Sequence, residues 1–374
     1  MSLNKRIPPA SAAGGPYAAI FEFTGAGSSD VTVSGMSFQP DFIQFRKYEE
    51  VGYTYMCNAL RPDTFWRTLQ NGNSSGTNVS DGNNDVIQWN SDGFTIKGNS
   101  STDNTINKSG RKYIGLALFA GNTSVSNNDG NVTSTVMASP DSGFSMVKFT
   151  SAGSSTTFGH GLGSTPDIVV GERPDEYYSH HTWYDDTTHH NEFRRGQGFL
   201  YTNNSNGSSS KLISFPDSDT IQVSSSHDGG GNSGDDYYFF CFVQKPHQQF
   251  AMWNGNNSTS TRTLYSMTDD SDPKYVRTNL VDNASSSIEM YQPLHDSTSG
   301  SKYVFTTPLT HAEGGTTNPY YANFAAWGES VSLDWGSSER LISNSDSFYI
   351  NGNYASYDYH YIAYIWGGDD CEIL

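Results

Sequence analysis

Apolar positions in this chain gather into three dense runs: Tyr113-Ile-Gly-Leu-Ala-Leu-Phe119, Tyr237-Tyr-Phe-Phe-Cys-Phe-Val243 and Tyr361-Ile-Ala-Tyr-Ile-Trp366. Each follows a Gly/Ser/Asn/Asp-rich gap, and upstream of each gap stands a polar corner. The corners read NSDGFTIKG from Asn90, DSDTIQVSS from Asp217 and NSDSFYING from Asn344, and they are evenly spaced along the chain. Each runs straight into a stretch that alternates aromatic or β-branched residues with polar ones, the period of a strand. A corner, a strand, a turn and a closing strand recurring at one period mark a unit that has been copied.

The first half of each copy also has a plan. Ala19-Ile-Phe-Glu-Phe23, Met146-Val-Lys-Phe149 and Phe250-Ala-Met-Trp253 read as opening strands. Each is followed by a Pro-Asp before an apolar strand, at Pro40-Asp41 and Pro166-Asp167, inverted to Asp272-Pro273 in the third copy. Such a proline suits a sheet edge, where it removes no ladder hydrogen bond. Opening and closing strands are expected to pair near the centre of each sheet, leaving the middle of the copy as loops. No apolar run has a helical period.

The pattern therefore predicts an all-β chain of three tandem antiparallel β-sandwich units, jelly-roll-like, behind a short extended N-terminal arm. The expected boundaries are an arm over 1–16, units over 17–121, 144–245 and 246–374, and a linker over 122–143. The third unit carries an insertion around Asn283 to Asn318, and the long linker suggests that the first unit is joined more loosely than the third.

A length of 374 residues accommodates three such units. Only 16% of residues are charged, so hydroxyls and amides must keep the surface soluble, while 14% aromatics supply contact area for thin cores. A net charge of −18 argues against nucleic acid and anionic membranes as partners. No apolar stretch reaches membrane-spanning length, and Lys5-Arg6 is not followed by the apolar run of a secretory leader. The cysteines Cys57, Cys241 and Cys371 are too few for a disulfide framework, and Cys241 reads as a small buried hydrophobe. The N-terminal segment is either a loose end or a docking arm, with Asn4, Lys5, Arg6 and Ile7 as its anchoring residues.

Candidate chemistry is sparse. His180, His181, His189 and His190 stand with acids in one stretch that also holds Tyr177, Tyr178, Trp183 and Tyr184. Adjacent histidines in a strand face opposite ways, and the other copies hold no equivalents, so a solvated or interface loop is favoured over a metal site. Paired acids such as Glu49-Glu50 and Asp185-Asp186 diverge on a strand and do not recur in all copies. No nucleophile elbow, P-loop or dinucleotide fingerprint is present, so neither an enzyme nor a cofactor is expected. Recognition remains, through exposed aromatic and amide side chains suited to sugars or to protein contacts. Its candidate residues are Tyr177, Tyr178, Trp183, Tyr184, Trp66, Trp327 and Trp335, each of which could instead fill a core.

These features resemble a repeated domain of tailed-bacteriophage virion proteins, of the marine and cyanophage type. The resemblance rests on Thr24-Gly25, Pro40-Asp41, Ser91-Asp92, Phe94 and Tyr113–Phe119 in the first copy. It continues in Pro166-Asp167, Trp183-Tyr184, Asp219 and Tyr238–Phe242, and then in Arg340–Asn344 and Ser345–Phe348. It implies a virion structural protein, made in the host cytoplasm, of tail-fibre or spike type. It also implies host attachment through cell-surface glycans, a homotrimer, and anchoring to other virion proteins by the arm. A capsid decoration or head-fibre role is the alternative, and an envelope depolymerase a more distant one.

Overall fold

The computed structural model describes residues 14–47, 54–68, 79–80, 86–98, 106–153, 155–172, 180–184, 199–201, 213–223, 233–254, 262–266, 273–280, 290–291, 305–306, 340–344, 347–351, 360–367 and 370–374. All regular structure among them is strand, and none of them is helical. One large sheet runs, edge to edge, through Cys371–Ile373, Ala18–Thr24, Lys112–Leu118, Phe42–Lys47, Thr54–Asn58, Arg61–Thr68 and Val79–Ser80. A second runs through Val125–Asn127, Ser134–Ser139, Phe144–Thr150, Asp236–Phe242, Ile168–Glu172, His180–Tyr184 and Phe199–Tyr201.

One strand order recurs. In each copy the closing strand lies between the opening strand and the strand that Pro-Asp introduces. These trios are Ala18–Thr24, Lys112–Leu118, Phe42–Lys47; Phe144–Thr150, Asp236–Phe242, Ile168–Glu172; and Gln248–Asn254, His360–Gly367, Pro273–Leu280. A small sheet also recurs, with the corner strand in the middle. Its trios are Val31–Ser34, Gly93–Ile96, Ile87–Asn90; Thr156–Gly159, Thr220–Val223, Ile213–Ser214; and Arg262–Ser266, Ser347–Asn351, Arg340–Asn344.

The polar corner is a hairpin turn, closed by Asn90 opposite Gly93 in the first copy and Asn344 opposite Ser347 in the third. Gly93 is required where it stands: φ is +151°, and a Cβ would collide with the Val33 carbonyl. In the second copy the Asp217 carboxylate accepts from the amides of Asp219 (2.9 Å) and Thr220 (2.8 Å). An Asp in that role organises the turn through its own side chain, which the bare polarity of the corner already required.

Alternation along the central strands divides their side chains between different cores. In the opening strand Ala19, Phe21 and Phe23 pack with Val33, Phe94 and Ile96 of the small sheet, as do Tyr113 and Ala117 of the closing strand. The opposite face of the same strands, Ala18, Ile20, Ile114, Leu116 and Leu118, does not meet water. It packs on Phe144, Met146, Tyr238, Phe240 and Phe242 of the second large sheet. The second copy mirrors this, with Val147, Phe149, Phe239 and Cys241 turned to Phe158, Ile221 and Val223 of its own small sheet. Four layers result, and the middle core belongs to both copies. Phe42 sits at its heart, ring centroids 5.1 Å from Phe240 and 5.7 Å from Phe144. The shared core fades where Glu22 is exposed and where Lys148 pairs with Asp236 at 2.8 Å.

Three expectations are corrected. The stretch 122–143 is not a linker: it carries Val125–Asn127 and Ser134–Ser139, which extend the second large sheet. Val136 and Met137 explain it, one buried in the second copy's own core and the other in the shared core. The first two copies are therefore fused, not loosely strung. The Pro-Asp strands of the first two copies are not edges, since Phe42–Lys47 lies between Lys112–Leu118 and Thr54–Asn58, and Ile168–Glu172 is likewise flanked. Proline is tolerated because it stands just ahead of the ladder. Finally, Cys371–Ile373, expected to stay with the third unit, pairs in parallel with the opening strand of the first.

Candidate functional site

The acid of Pro-Asp performs a repeated structural task. Asp41 donates its amide to Leu118 O (2.9 Å), and its carboxylate accepts from the Ala120 amide (2.7 Å). Asp167 does the same with Phe242 O (2.8 Å) and the Gln244 amide (2.8 Å). Each acid thus seals the end of its closing strand, satisfying an amide just past the last ladder bond. Asp41 is fully buried, and the Asn122 amide also donates to it at 3.1 Å, from a backbone held at φ +58° that asparagine tolerates. Burial pushes its carboxyl up to about 6, opposed by the Ala120 and Asn122 amides. Replacing Asp167 with alanine orphans the Gln244 amide and is expected to cost about 1–3 kcal/mol, with Asp167→Asn costing less because one acceptor oxygen remains. Urea unfolding of the two variants checks the order.

A buried polar junction joins the three copies at one end of their central strands. The Gln248 amide donates to Gly143 O and Val243 O, both at 3.1 Å, and its oxygen accepts from Trp366 Nε1 at 3.1 Å. His247 Nε2 meets Ser142 O at 3.1 Å, its ring lies 5.2 Å from that of Tyr17, and Nδ1 stands 4.0 Å from an Asp370 carboxylate oxygen. A second buried histidine, His160, accepts the Leu162 amide at Nδ1 (3.3 Å) beside the second corner. Burial lowers both to about 4; charges on Asp219 and Asp217 oppose this at His160, and the Ser142 backbone opposes it at His247. Both are neutral near pH 7.

Sequence reasoning missed this junction because 245–249 reads as a short polar connection. The available signal was a histidine and two glutamines placed directly against an opening strand.

Of the aromatic candidates, Trp66 pairs in register with Met56, Trp183 with Val169 and Phe199, and Tyr184 with Ile168. Trp66 and Trp183 thus belong to different large sheets, and their side chains lie outside the described residues. So do Tyr177, Tyr178, Trp327, Trp335 and the anchoring residues Asn4, Lys5, Arg6 and Ile7. His180 and His181 take consecutive register positions opposite Glu172 and Gly171, while His189 and His190 lie outside the described residues. Among the described residues, no group of three or more His, Cys, Asp or Glu side chains is arranged to hold a metal ion. Cys57, Cys241 and Cys371 are buried and form no disulfide with one another, as expected for Cys241 in its burial, which pushes its thiol up to about 12.

No curated protein matches the chain. Among solved structures, the crystal structure of CghA with Sch210972 is 8% identical over 97% of this chain and 98% of its own, with a TM-score of 0.11 that carries no argument. A family model does match, from the end of the N-terminal segment through both fused copies and into the third, over residues 13–328. The chain belongs to that family, described as Domain of unknown function (DUF7483).

Proposed function

We propose that this chain is a non-enzymatic structural protein of a phage virion, three tandem jelly-roll-like units forming a tail-fibre or spike-type appendage. The observation that carries the reading is the strand order met three times, with polar side chains spent on holding strand ends and joining copies. The N-terminal arm anchors the chain to other virion proteins, copies associate as a homotrimer, and the stretch around Tyr177–Tyr184 meets host-surface glycan.

A capsid decoration or head-fibre role is the second reading. It is favoured by the exposed large apolar side chains among the described residues, Val125 and Leu374, since neither is aromatic. Antibody labelling of whole particles separates the two by location, tail against head. Binding of the isolated chain to host cells, lost after periodate treatment of their sugars, is expected for the attachment role. A chain absent from purified particles would sink both readings.

A further inference from the structure

We propose that the C-terminal strand Cys371–Ile373 is exchangeable between copies of this chain, the strand of one copy docking on the opening strand Ala18–Thr24 of the next. The register is Ala18 with Cys371, Ala19 with Glu372 and Ile20 with Ile373. The Tyr17 amide donates to Asp370 O (2.9 Å), the Leu374 amide donates to Ile20 O (3.0 Å), and the Ser37 amide donates to the Glu372 carboxylate (2.9 Å). The Cys371 side chain is fully buried in the core shared by the first two copies, with Ala18 and Ile20.

Two features make this strand separable. Its pairing is parallel, so no tight turn ties it to its partner. It is also supplied by the third copy, whose own central strand ends at Gly367 and is followed in sequence by Gly368-Asp369-Asp370. Without it, the amides of Tyr17 and Ala18 lose an acceptor, and the apolar positions Ala18 and Ile20 form an open sheet edge, which demands a strand from some source. Every bond named above is the same whether the strand comes from the same chain or from a neighbour. Exchange of an identical element is a low-cost route to assembly. The choice then follows concentration: a short tether gives an effective concentration on the order of millimolar, so dilute chains keep their own strand and closely packed ones trade it.

The register supplies the test. In the Ala18→Cys variant, the introduced thiol stands directly beside Cys371. Unlabelled and nitrogen-15-labelled variant chains are unfolded, mixed equally, refolded across a concentration series, oxidised, and digested without reductant. Mixed-isotope peptides that join the introduced cysteine to Cys371, rising with concentration towards half of the cross-linked total, are the expected result. Same-isotope peptides at every concentration overturn the proposal. Should the disulfide not form, sedimentation of the full chain against one ending at Asp370 decides. A mass that grows with concentration only in the full chain supports exchange, and identical behaviour overturns it. The inference rests on backbone pairing and not on virion location, so its failure leaves the particle-labelling result untouched.

Discussion

Replacing Phe240 with alanine is expected to destabilise the protein by about 3–5 kcal/mol and to loosen the first copy as well as the second. Phe240 lies on the closing strand of the second copy, yet its ring faces Phe42 of the first at 5.1 Å within the shared core. Phe240 belongs to one cluster with Ile114 and Leu116 of the first copy and Met146 of the second, so collapse after truncation cannot be confined to either side. Its chain neighbour provides the contrast. Phe239 points the other way, against Phe149 at 5.3 Å and Phe158 at 5.1 Å, inside the second copy's own core. Phe239→Ala is expected to cost a similar amount while sparing the first copy. Hydrogen exchange of the Lys112–Leu118 amides distinguishes them: protection falls in Phe240→Ala and persists in Phe239→Ala at equal denaturant distance from the midpoint. If those amides respond alike in both variants, the middle core does not couple the copies.

That coupling was written in the sequence in a form that alternation alone does not reveal. The three closing runs are apolar at nearly every position, and a strand exposed on one face does not need that. Tyr113, Ala117 and Gly115 fill one side, and Ile114, Leu116 and Leu118 the other. Gly115 itself is a packing residue, because a Cβ there would meet Phe45 Cβ at 2.5 Å and Phe21 Cζ at 2.6 Å. Across the ladder, Gly115 stands opposite Phe21, while at the equivalent pair in the second copy Phe239 stands opposite Val147. Bulk has moved from one strand to the other, which a residue-by-residue comparison of the copies hides.

The corner hairpins and the central pairing of opening and closing strands were legible, since both depend on local period and turn chemistry. The fate of 122–143 was not, because Ser134–Ser139 hides two buried apolar residues among Ser, Thr and Gly neighbours. Long-range partners were the least legible of all. Nothing local to Cys371-Glu-Ile-Leu374 says that it joins a strand at the other end of the chain, or that His247 sits between Tyr17 and Ser142.

Acidification from pH 7 to pH 4 is expected to weaken the fold, and the two buried histidines are expected to account for the difference between the wild type and variants lacking them. Each is held near 4 in the folded state against an ordinary value of 6.5. Between those values the unfolded chain binds more protons than the folded one, so stability present above pH 6.5 is lost as pH falls towards 4, by about 3 kcal/mol for each histidine. Asp41 acts in the opposite sense. Its folded value of about 6 lies above the ordinary 3.8, so the folded chain binds the extra proton. Stability lost on its ionisation is regained on acidification, again by about 3 kcal/mol. Two losses against one gain leave a net loss of about 3 kcal/mol. The tautomers guide the variants. His247 has Nε2 on Ser142 O, a donor role that His247→Gln retains, while His160 accepts the Leu162 amide, a role that His160→Asn retains. Urea unfolding at several pH values is expected to show the acid loss smaller than in the wild type by about 3 kcal/mol in either single variant and by about twice that in the double variant. Charge neutralisation across a chain of net charge −18 affects all four proteins alike and drops out of the comparison. Identical pH slopes in the wild type and the double variant would mean that neither imidazole is held neutral by burial.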